Sequence, residues 1–135
     1  MLAQTKERFY QFLKELGYNV TDNGTYREAF PWLMLRTGSA QVLKSHDLDM
    51  TDVRLIVDIF STYNGEKEIL DIVDNINHHI RALIDEYDDL QFCYMRSLRI
   101  IDDKETGPCR KHGVVTFSFI MTREDDGDGN NTEGN

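Results

Sequence analysis

The chain has 135 residues, of which 40% are hydrophobic, including seven Phe, six Tyr and one Trp; that suits one domain around one core. Its 24 acidic against 15 basic side chains give a formal charge of −9, which opposes a DNA-gripping role, because that binding depends on clustered Lys and Arg releasing counterions. The N-terminal MLAQTKERFYQFLKEL intersperses charges where a signal peptide is continuously apolar, and no later run approaches the ~20 apolar residues of a membrane span, so the chain is expected to be made and kept in a cytoplasm with no membrane partner.

From Leu2 to Leu16, Phe9, Phe12, Leu13 and Leu16 recur at three- and four-residue steps, with Gly17 where a helix closes in a left-handed residue. Residues 18–30 have a loop composition. Pro31 then opens the apolar run PWLMLRTG, a first strand ending at Gly38. Ser39 to Met50 is polar with scattered apolar residues and reads as a loop longer than most connections. A second strand, Thr51 to Phe60, places Val53, Leu55, Val57 and Ile59 on one face, with Arg54, Ile56, Asp58 and Phe60 on the other.

From Glu66 to about Tyr87, the apolar set Ile69, Ile72, Val73, Ile76, Ile80, Leu83 and Ile84 follows a helical stripe, with acids in the first turn as the helix dipole favours. Gln91 to Ile101 and Gly113 to Met121 read as two further strands joined by the turn-rich DDKETGPCRKHG, with Val115, Phe117, Phe119 and Met121 facing the core. The last thirteen residues hold five acids and one base, leaving about −5 on the body, and without apolar periodicity they are expected to be disordered. The predicted fold is α+β: a two-layer sandwich of one mixed or antiparallel sheet of about four strands, with two helices on one face, in the order α-β-β-α-β-β. Residues 1–122 form its single domain and 123–135 an acidic tail.

The stretch IVDIFSTYNGEKEIL runs from strand through glycine into helix, an order shared with phosphate-binding loops. Those need several spaced glycines or a GxxxxGK motif. Here Gly65 stands alone, Glu66 and Glu68 would repel a phosphate, and the plainer reading is a capped turn with Asn64 near the cap. His78 and His79 sit about 100° apart around a helix, too divergent for one metal; His79 is expected at the core edge and His78 in solvent. Asp126, Asp128 and Asn130 imitate the start of a calcium loop, but Asn131 stands where its glycine belongs. Cys93 and Cys109 form no metal or disulfide pattern and are expected to be free thiols. No cofactor is expected.

Asp58 is the one acid inside an apolar strand. Alternation puts it opposite the core, where the simplest expectation is a solvated position. A sheet with helices on one side leaves the other face to water or a partner, and Ile56 with Phe60 makes that face too apolar to be wholly wet.

In order and pattern, the first helix, PWLMLRTG, VRLIVDIFST running into GEKEILDIVDNINHHI, and the closing strand GVVTFSFIMT resemble the tail terminator, or tail-to-head joining, proteins of long-tailed bacteriophages. The resemblance covers residues 2–122. It implies a small α/β sandwich that closes into a six-membered ring on the finished tail tube, stops its polymerisation and offers a surface to the head connector. The implied partners are other copies of the chain, the tail tube protein and a head connector or head-completion protein. DNA would be only cargo, repelled by an acidic lumen, and the site would be the tail–head interface of the virion. No catalysis is implied.

On that reading, the loops carry the subunit and tube contacts: Lys44, His46 and Asp47 in the first, Lys104, Arg110 and Lys111 in the second. The open sheet face, with Arg54, Asp58 and Phe60 beside Arg96 or Arg99, would meet a neighbouring subunit. A head-completion or connector protein of the same neck is the nearest alternative. A small metal-dependent nuclease or other enzyme is the alternative of another class, and would need acids clustered with a base in three dimensions.

Overall fold

A computed structural model describes residues 2–22, 29–44, 49–105 and 107–122. Helix α1 (Leu2–Glu15) buries Thr5, Phe9, Phe12 and Leu13. It ends as its glycine predicts: Gly17 has φ 98°, its N–H donates to the Lys14 carbonyl at 2.9 Å, and the Tyr18 N–H reaches back to Leu13 at 3.3 Å. This paired closure needs a left-handed residue. A strand that the loop composition concealed follows at once: β1 (Asn19–Thr21), running parallel to β2 (Trp32–Lys44).

Strands β2 and β3 (Asp49–Ser61) pair antiparallel from Trp32↔Phe60 to Lys44↔Asp49, with one register shift beside Gly38. The long loop expected over residues 39–50 is therefore mostly strand, and its His46 and Asp47 lie outside the described residues. The misreading has a physical cause. From Arg36 to Val42 β2 is exposed on both faces, so ladder hydrogen bonds hold it and burial leaves no period-two apolar signal.

The predicted second helix is divided into α2 (Lys67–His79) and α3 (Arg81–Glu86), with Ile80 between them. Ile76, Ile80 and Leu83 stay buried across the break, so the apolar stripe gave no sign of it. Asn64 does not cap α2. The cap residue is Glu66, with no side-chain hydrogen bond, and the turn is held by Ser61 Oγ donating to Glu68 at 2.6 Å.

Strands β4 (Leu90–Asp102) and β5 (Lys111–Thr122) form a second long hairpin, and β5 inserts beside β3, giving the sheet order β1-β2-β3-β5-β4. The sheet is thus mixed and five-stranded rather than four-stranded, within the expected α+β class. The helices share one core with its inner face: Val53, Leu55, Val57, Ile59, Val115 and Phe117 are fully buried. Phe9 of α1 meets Phe117 and Phe119 edge-on, with ring centroids 5.2 and 4.9 Å apart.

Candidate functional site

The helices leave the other face of the sheet uncovered, and strand register fixes what stands on it. One cross-strand row holds Trp32, Phe60, His112 and Ile101; the next holds Met34, Asp58, Val114 and Arg99. Farther along come Arg36 with Ile56, Thr116 and Ser97, then Arg54 with Ser118 and Tyr94, then Asp52 with Ile120 and Phe92.

At the β1 end this face is closed over. Trp32 stacks on Phe60 (4.6 Å) and Phe60 on His112 (4.4 Å), and Cys109, Phe30 and Met34 complete a second, smaller apolar cluster. Asp58 lies beside the stack and is only 1% exposed, so the solvated position expected for it is overturned. Arg36 Nε donates to Asp58 Oδ2 at 2.6 Å, and His112 Nε2 lies 2.8 Å from Oδ1. Burial would raise the Asp58 pKa, but hydrogen bonds from His112 and Arg36 outweigh it and hold the carboxyl below its ordinary range. An ionised carboxylate only accepts, so the facing histidine nitrogen carries the proton.

The middle of the face is different. Asp52 is 3% exposed, its Oδ2 accepts from Arg54 Nε at 3.1 Å, and Arg96 stands 3.9 Å away. Arg96 Nη1 also donates to the Tyr94 hydroxyl at 2.8 Å. Among the described residues, none gives buried Asp52 Oδ1 a hydrogen bond, an arrangement that costs free energy. Around this cluster apolar side chains reach solvent: Phe92 is 63% exposed and Tyr94 43%.

The structure separates the residues expected at contacts. Lys44 ends β2, while Lys104, Arg110 and Lys111 lie at the opposite end of the sheet, about 40 Å away at ~3.3 Å per strand residue. Lys111 is committed within the chain, its Nζ 2.5 Å from Asp102. The loop before it is tied down, since the Arg110 N–H donates to the Ser61 carbonyl at 2.8 Å and its carbonyl accepts from Asp103 at 3.0 Å. Phe60 is buried, whereas Arg54, Arg96 and Arg99 stand on the open face; strict alternation would part Arg96 from Arg99, and the register shift between Met95 and Ser97 brings both to it. Reasoning from sequence missed Arg36, Trp32 and His112. Only the β2–β3 and β3–β5 registers reveal them, because each meets Asp58 or Phe60 across strands.

On the helix side, Tyr18, Pro31, Tyr63, Gly65, Asp71 and Ile72 line a groove of about 610 Å³ along α2. His78 and His79 are both exposed, with rings edge-on at 4.9 Å, so His79 does not pack at the core edge. Among the described residues no three His, Cys, Asp or Glu side chains are placed to hold a metal ion, and no helix is long and apolar enough to cross a membrane. The calcium-loop imitation at Asp126 to Asn131 lies outside them. Cys93 and Cys109 are free and buried.

Compared with known proteins, residues 13–122 match the model of a family described as tail completion protein gp17. No curated protein matches the chain.

Proposed function

This chain belongs to the phage tail completion protein gp17 family, and we propose that it caps the end of the tail tube as an oligomeric ring, stops tube polymerisation and forms the interface that joins tail to head. Membership makes it a virion component concerned with finishing the tail. Tube capping, the six-fold ring and head joining are the finer reading. The carrying observation is the uncovered sheet face within the matched span, where exposed Phe92 and Tyr94 surround the incompletely paired Asp52. Such a surface suits a protein partner better than water.

The role is structural rather than catalytic, with the tube protein and a head connector or head-completion protein as partners. The chain's negative charge suits a passage that must repel the DNA backbone. The test is to add purified chain to isolated tail tubes and view them by electron microscopy. Rings on tube ends and arrest of elongation are expected. Binding confined to portal-bearing heads would reassign the protein to head completion.

A further inference from the structure

The open sheet face and the face formed by α2 and α3 differ in charge. The open sheet face presents Arg36, Arg54, Arg96 and Arg99, and its two acids, Asp52 and Asp58, are buried among them. Across the molecule, the segment 66–86 that forms α2 and α3 carries six acids against two bases, with Asp71, Asp74, Asp85 and Glu86 exposed. The apolar features are also matched. Phe92 and Tyr94 project from the sheet side, and the groove beside Asp71 is lined by Tyr18, Pro31, Tyr63 and Ile72.

Resting on the ring assembly proposed above, we infer that copies of the chain associate head to tail, the arginine-bearing open sheet face of one seating on the acidic α2 face of the next. The two patches differ and lie on opposite layers, so each copy offers one of each. Such a heterologous contact repeats, and closes into a ring when its rotation permits. Opposite signs orient the encounter and reject sheet-to-sheet pairing, where arginines would face arginines. Phe92 and Tyr94 would supply the apolar anchor, the groove along α2 the receptor.

The experiment exchanges charge on exposed positions outside the ion pairs of the sheet. A sheet variant carries Ser97→Glu and Arg99→Glu; a helix variant carries Asp71→Lys and Asp74→Lys. Both should keep the wild-type circular dichroism spectrum. Each alone should cap at least about tenfold fewer tube ends, because its ring would set like charges face to face. Their equimolar mixture should recover capping, since in an alternating ring every sheet face meets a helix face of opposite sign. The chain carrying all four substitutions should recover it too.

Capping by either double variant at the wild-type level would overturn the contact and leave the capping function standing. Loss without recovery in the mixture and in the four-substitution chain would overturn the pairing of these two faces. If the wild type itself does not cap tubes, the functional reading fails, and sedimentation at high concentration then judges the contact. A heavier species in the mixture, absent from either double variant alone, supports it; its absence overturns it.

Discussion

Asp58 shows how one side chain organises the closed end of the sheet face. Arg36 reaches it diagonally from the neighbouring strand and His112 from the other side, so the carboxylate is satisfied from both strands that flank its own. Arg36 itself is 48% exposed, which screens its share of the pairing. Asp58→Asn keeps the shape and removes the charge, and is expected to destabilise the fold by about 2 kcal/mol, the range for hydrogen bonds to charged groups, as a fall in melting temperature at neutral pH. The pH dependence follows from a folded pKa held below the ordinary carboxylate value of 3.8. Above that value the stabilisation is fully present. As pH falls, the unfolded chain takes up the proton first, and the stabilisation is lost on the way down through the folded pKa. The stability gap between wild type and Asp58→Asn should therefore be constant near neutrality and shrink only below about pH 4. The thiols give a second expectation. Burial pushes the Cys93 thiol far up, and burial with the nearby Asp103 pushes that of Cys109 up to about 11. A thiol reagent at neutral pH should leave both unmodified in the folded chain and modify both in denaturant; rapid labelling of the native protein would contradict their burial.

At the level of elements, the crossing of α2 over the sheet depends on a missing side chain. Gly113 lies in β5 beneath Ile69, and a β-carbon there would stand 2.8 Å from Ile69 Cγ2. Gly113→Ala is expected to force α2 outward and destabilise by about 1–3 kcal/mol, the usual cost of overpacking, read as a lower denaturation midpoint with unchanged slope. Removing that β-branch methyl in the same chain, as Ile69→Leu, should recover part of the loss. Neither residue announces this in the sequence, where Gly113 reads as the end of a turn. What the sequence did disclose were elements with a buried face. Helix α1 with its glycine closure, the stripe from Ile69 to Leu83, and the inner faces of β3 and β5 all follow the apolar period. The far half of β2, buried on neither face, and three-residue β1 have no such period, so they read as loops. The break at Ile80 was invisible because the buried stripe continues through it.

Over the whole molecule, net charge was legible as a total and illegible as a pattern. The excess of acids is plain from composition, but the separation of arginines onto the sheet and acids onto α2 and α3 depends on register and on which face the helices cover. The proposed contact faces were obscured for the same reason. Of the charged residues expected at loop contacts, the structure sets Lys44 and Lys111 at opposite ends of the sheet and pairs the latter internally with Asp102. The last twelve residues allow a test of where the fold ends. The family match stops at residue 122. There β5 is already anchored, the Thr122 N–H donating to the Asp89 carbonyl at 2.8 Å and its hydroxyl at 3.3 Å. Residues 124–135 contain no apolar side chain, so their removal forfeits no hydrophobic burial. It takes away five carboxylates and no base, moving the formal charge from −9 to −4; with less self-repulsion the shortened chain should be no less stable. Deleting them should leave the melting temperature within about 3 °C of the full chain. A larger fall, worth roughly 1 kcal/mol in a domain of this size, would mean that the segment docks on the body, and the arginines of the open sheet face would be the first place to look for it.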